Sequence, residues 1–174
     1  GRRFVDGRND FGNFSFLDFK QTEDGGYVAI TENAELELRI KGSGESGNLN
    51  DRYDLYYYYN DLLAYKLDST GTVEWVNRVP KYQQSINDNA IHLSASNIIA
   101  NNKLYLLFND HRKNYDDSQH FKNISFPKMS TTSNKNNVIA VTEIDLKTGN
   151  SIRKSLPGRN ELSTLFIPRL SREN

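Results

Sequence analysis

The chain has 174 residues, long enough for a domain with a core of its own. Its 22 Lys+Arg residues balance 22 Asp+Glu, so no overall field draws in nucleic acid or an anionic membrane surface. Cysteine is absent, which excludes a disulfide framework and a thiolate metal site, and no apolar run approaches the ~20 residues of a membrane-crossing helix. Ten Tyr and nine Phe stand among many Asn, Asp, Ser and Gly, which is the composition of strands separated by turns. No apolar pattern of helical period is sustained over a helical length, so the fold class read here is all-β.

Residues 1–12 are Arg- and Gly-rich and read as a lead-in segment. Phe14 to Phe19 alternate with period two. Glu23-Asp24-Gly25-Gly26 is a turn, and Tyr27-Val28-Ala29-Ile30 resumes a strand. Residues 34–41 then place Ala34, Leu36, Leu38 and Ile40 on one face and charges on the other. Gly42 to Asn50 form a flexible tip, from which Tyr53 to Leu67 run back. This predicts one long hairpin that projects as a ribbon. Leu62 to Leu67, a turn at Asp68-Ser69-Thr70-Gly71, and a strand through Val73 and Trp75 ending at Pro80 form a second hairpin.

Pro80 to Asn89 read as a polar connection. Ala90 to Leu93 and Ile98-Ile99 read as apolar strand segments flanking Ser94 to Asn97. Asn101-Asn102 marks a turn before the strand Lys103 to Phe108. Residues 109–136 form a long irregular stretch around an apolar island at Phe121, Ile124 and Phe126. Val138 to Ile144, the turn Asp145 to Gly149 and Ser151 to Leu156, closed by Pro157, make the last hairpin. Leu165-Phe166-Ile167 begin a further strand.

Element order repeats. Asp68 and Asp145 lie 77 apart, as do Pro80 and Pro157; Tyr27 and Tyr105 lie 78 apart, and Ala64 and Ala140 lie 76 apart. One supersecondary unit recurring at a fixed period signals a repeat architecture. The units are residues 13–80, with the projecting ribbon, and 81–157, with loop 109–136; residues 158–174 open a further strand or tail. Each unit is a four-stranded antiparallel meander.

The pattern Leu67-Asp68-x-x-Gly71-x-Val73-x-Trp75 resembles the outer hairpin of a blade in bacterial β-propeller repeat proteins. That resemblance implies two propeller-like blades of a larger or oligomeric propeller, with flanking blades in a longer chain or self-association, since two blades cannot close a ring. It also implies an extracytoplasmic bacterial protein, at the periplasm or cell surface. A β-sandwich of the same strands is the alternative fold.

No Ser–His–Asp or Cys–His arrangement assembles, and no cofactor motif is present. His111 and His120 lie near Asp110, Asp116 and Asp117 with no recognised metal spacing, and read as solvated loop residues. His92 reads as an ordinary strand residue. Asp24, Asp68 and Asp145 are accounted for as turn formers, and Glu35 and Glu37 as surface charge. Arg153, Lys154, Arg159, Arg169 and Arg172 read as a solvated tail surface. Gly42-Ser43-Gly44 lacks the helix a phosphate cradle needs, and Asn13-Phe14-Ser15 and Asn123-Ile124-Ser125 match the short glycosylation sequon.

The candidate ligand-contact surface is Tyr53, Tyr56, Tyr57, Tyr58 and Tyr59 on the ribbon, with His111, Asp116 and His120 in the long loop. Insertions on a rigid scaffold are where binding residues concentrate. The expected function is a non-enzymatic binding or protein-interaction module taking a protein or carbohydrate ligand. The alternative is part of a carbohydrate-active propeller enzyme.

Overall fold

The computed structural model describes residues 13–41, 53–132, 136–156 and 166–168. The lead-in segment, the tip at 42–50, Pro157 and most of the tail lie outside that range. Ten strands and no α-helix form among the described residues: β1 (Phe14–Gln21), β2 (Tyr27–Ile40), β3 (Tyr53–Leu67), β4 (Val73–Val79), β5 (Gln83–Ile86), β6 (Ala95–Ala100), β7 (Lys103–His111), β8 (Ser130–Thr131), β9 (Asn137–Asp145) and β10 (Ser151–Ser155). The chain is all-β, and its two sheets are built on antiparallel meanders.

The first sheet contains β1, β2, β3 and β4 in sequence order. Pairing of β2 with β3 runs from Tyr27 opposite Leu67 to Ile40 opposite Tyr53, with one bulge near Asn33. β3 takes β4 along residues 62–67 and β5 along Tyr56 to Tyr59. The residues expected as a polar connection after Pro80 therefore include a strand. Gln83 and Ser85 are buried polar side chains, so β5 carries no alternating apolar signal. The short β8 adds to β5 in parallel.

The second sheet is the meander β6-β7-β9-β10. Its first strand begins at Ala95, later than the apolar run at 90–93 suggests, and it includes Ser96 and Asn97. Residues 90–93 and His92 among them lie in a turn instead. Asn87, Asn89 and Ala90 take positive φ there, and Leu93 N–H bonds to Ala90 O at 3.0 Å. Asn101 and Asn102, at φ 51° and 57°, make the two-residue turn into β7.

The two outer hairpins share one turn device. Asp68 Oδ1 accepts Thr70 N–H at 2.8 Å and Thr72 N–H at 2.9 Å; Asp145 Oδ1 accepts Lys147 N–H at 3.0 Å and Thr148 N–H at 2.8 Å. Gly71 and Gly149 supply the positive φ each turn needs. Registers agree as well. Leu67 pairs with Tyr27 and Lys66 with Trp75, while 77 residues on Ile144 pairs with Leu104 and Glu143 with Ile152. Tyr27 thus corresponds to Leu104, not Tyr105, and Ala64 to Val141, not Ala140.

That register determines how the sheets pack. The core joins Val28, Ile30, Leu62, Ala64, Trp75 and Val79 of the first sheet to Leu104, Leu106, Phe108, Ala140 and Ile144 of the second. These two sets are not equivalent. Positions 77 after the first set are Tyr105, Leu107, Ile139, Val141, Ile152 and Leu156, which point to the other side of the second sheet. The sheets stack front to back. Trp75 closes the stack at its outer edge, where Nε1 donates to Leu146 O at 2.9 Å.

Candidate functional site

Both long insertions leave from the same end of their meanders, between the second and third strands. In the first sheet that connection carries the ribbon of β2, β3 and β5, and cross-strand register sorts its residues into two faces. On one lie Ala34, Leu36, Leu38 and Ile40 with Tyr53, Leu55, Tyr57 and Tyr59. On the other lie Glu35, Glu37 and Arg39 with Asp54, Tyr56 and Tyr58.

The polar face is internally paired. Tyr56 and Tyr58 stack with ring centres 6.4 Å apart, and the Arg39 guanidinium sits 4.0 Å from the Tyr56 ring. Arg39 also donates to Glu37 at 2.6 Å and to Tyr58 Oη at 2.7 Å. The hydrogen bond to Glu37 raises the already high Arg39 pKa further, so the charge is permanent. The apolar face is open: Leu36, Leu38 and Ile40 are 61%, 57% and 77% exposed.

A buried polar node roots the ribbon in the molecule. Lys81 Nζ lies 2.7 Å from Glu32 Oε1 and donates to Gln83 Oε1 at 2.9 Å and Tyr59 O at 3.1 Å. Gln83 then ties β5 to the second sheet, donating to Asn109 O at 2.7 Å and accepting from Ser94 N–H at 2.8 Å. Burial pulls the Lys81 ammonium below its ordinary pKa, and the attraction of Glu32 works against that pull.

A second node holds the insertion after β7. Asp110 pairs with Arg153 and accepts from Tyr115 Oη at 2.6 Å and Asn114 Nδ2 at 2.8 Å. Asn114 accepts Lys128 N–H at 2.6 Å, which pins the far limb of the insertion. Arg153 donates to Pro80 O at 2.5 Å and lies 4.1 Å from the Phe121 ring. Burial raises the Tyr115 hydroxyl well above its usual pKa, with Asp110 adding to the effect, so it stays protonated as a donor.

The five tyrosines are divided between the two ribbon faces and form no continuous platform. His111 is buried at the end of β7, where Nδ1 accepts Lys113 N–H at 3.0 Å. Asp116 and His120 close a tight loop through His120 N–H to Asp116 Oδ1 at 2.8 Å, and both are exposed. Beside that loop a cleft of about 330 Å³ is lined by His120, Phe121, Asn123, Arg78, Thr142 and Arg153, among others, with no carboxylate in its lining. Among the described residues no three His, Asp or Glu side chains are grouped to hold a metal ion.

Glu32, Lys81, Asp110 and Arg153 did not stand out in the sequence as site residues. One signal was present: an acidic residue follows the apolar stretch of β2 and of β7, Glu32 after Tyr27 to Thr31 and Asp110 after Leu104 to Asn109. No family model, curated protein or solved structure matches the chain.

Proposed function

We propose that the chain is a non-enzymatic protein-interaction module that engages its partner through the apolar face of the ribbon. The observation that carries this reading is the exposure of Leu36, Leu38 and Ile40 in register with Tyr53, Leu55 and Tyr57. A contiguous apolar patch on a projecting element is typical of an interaction site. The chemistry favours a protein over a sugar. Sugar stacking needs free flat rings, whereas the Tyr56 ring is covered by Arg39 and the open face is dominated by aliphatic side chains.

The carbohydrate-active alternative draws no support from the cleft, whose polar lining of His120, Arg78, Asn123 and Thr142 offers no acidic pair for glycoside hydrolysis. The resemblance of the Asp68 hairpin to bacterial propeller repeats supports reading the module as part of a larger secreted or surface protein.

The reading is tested by selecting a displayed random-peptide library on the intact chain and on Leu38→Asp. Peptides enriched by the first and not by the second are expected. A library that yields no ribbon-dependent binder, beside oligosaccharide-array binding that Leu38→Asp leaves intact, sinks it.

A further inference from the structure

We propose that the outer edge of the ribbon is a dimerisation edge, on which β2 of a second copy of this chain adds as an antiparallel strand centred on Leu38. β1 pairs with β2 no further than Asn33, and from Ala34 to Ile40 the described residues pair β2 with β3 alone. The far side of β3 is taken by β5. The edge of β10 is covered differently, by residues 119–121, with Phe121 N–H on Arg153 O and Ser155 N–H on Gln119 O, both at 3.0 Å. A long strand edge presents a row of backbone donors and acceptors that another strand can take up.

The order of charge along this edge selects a second copy as the occupant. The polar face reads Glu35, Glu37, Arg39 and, just past the strand's end, Lys41: acids first, then bases. Residues directly opposite in an antiparallel pair share a face. With a two-fold axis at Leu38, Glu35 lies across from Lys41 of the second copy and Glu37 across from its Arg39, and the reverse. On the apolar face Leu36 meets Ile40 and Leu38 meets its own counterpart. Such self-complementarity is what an isologous contact requires. Opposite charges across strands favour a pairing and like charges oppose it. A register two residues away sets Glu37 against Glu37 or Arg39 against Arg39, and an in-register parallel pairing sets every charge against its like. The chain's own residues 1–12 fit less well, since the Phe14–Asn33 register carried along this edge would set Arg8 against Arg39 and Asp10 against Glu37. Glu37 and Arg39 already touch within one chain at 2.6 Å, so the axis joins two ion pairs into one cluster.

The inference is independent of the partner-binding reading: it concerns the edge of β2 and leaves its apolar face open. Glu35→Lys with Glu37→Lys makes the polar face of the edge wholly basic, and Arg39→Glu with Lys41→Glu makes it wholly acidic. None of the four side chains is buried, so both double variants should keep the β-sheet circular dichroism spectrum of the parent. Light scattering across a concentration series should show the unsubstituted chain rising to twice the mass of one copy. Each double variant alone should stay at a single copy, and their equimolar mixture should again reach twice the mass. The chain has no native cysteine, so introduced ones report the register. Under mild oxidation Leu36→Cys should link to Ile40→Cys, and neither should link to itself. A strict monomer at all concentrations overturns the proposal, because the edge is then not taken by a second copy. A dimer that both double variants retain overturns it, as does a mixture of the two that stays monomeric. Self-linking of Leu36→Cys overturns it too, because it marks parallel strands.

Discussion

At Gly149 two demands meet in one residue. Its φ of 72° suits glycine, and a Cβ there would lie 2.8 Å from the Trp75 ring. Gly149→Ala is therefore expected to cost about 1–3 kcal/mol through overpacking, read as a lower denaturant midpoint with an unchanged slope. Gly71, with the same φ sign and open space around its Cβ position, should lose less on the same substitution. His111 shows a different residue-scale effect. Burial depresses its pKa, so below the ordinary value of about 6.5 the unfolded chain binds a proton that the folded chain resists. Its contribution is fully present above that value and is lost as pH falls toward the folded pKa. Stability of the native chain should thus decline on acidification through about pH 6.5, and His111→Gln should flatten that decline in urea melts taken across the range.

Between elements, buried polar groups do the joining. Lys81 and Glu32 tie the ribbon root to the strand that bears it, and Gln83 carries the tie to the second sheet. Removing one partner of a buried ion pair strands the other, so Lys81→Ala is expected to destabilise by about 3–5 kcal/mol. Replacing both, as Glu32→Gln with Lys81→Met, should recover much of that loss in thermal melts. If Lys81→Ala instead leaves stability unchanged, the pair is not what holds the ribbon. The same polar wiring explains which elements the sequence revealed. β3 and β4, and β9 and β10, were legible because an Asp and a Gly mark their turns between apolar runs. β5 was not, because its buried side chains are Gln83 and Ser85, and Gln83 finds its partner on β7. β6 was misplaced because it opens on Ala95, Ser96 and Asn97 and not on the apolar run at 90–93, while Ser94 just before it is buried with hydrogen bonds to Glu32 and Gln83.

On the scale of the whole molecule, contacts that cross between the sheets make them one cooperative unit. These include Trp75 to Leu146, Gln83 to Asn109 and Arg153 to Pro80. Trp75 is the sole tryptophan and sits in that junction, so its fluorescence reports the interface while far-ultraviolet circular dichroism reports the strands. The two thermal transitions should coincide; an earlier fluorescence transition would mean that the sheets separate before they unfold. The sequence by itself determined the all-β class, the hairpins and their turn residues, because each depends on local backbone preference and on period-two patterning. Only the tertiary structure decided which face of each sheet turns to the other, with Val28 and Leu62 of the first meeting Leu104 and Ala140 of the second. A shift of one residue exchanges the two faces of a strand, and the strands here are apolar on both. Tertiary structure also decided the fate of the tyrosines. Residues adjacent in the chain point to opposite faces, so Tyr56 and Tyr58 stack beside Arg39 while Tyr53 and Tyr57 join the open apolar face.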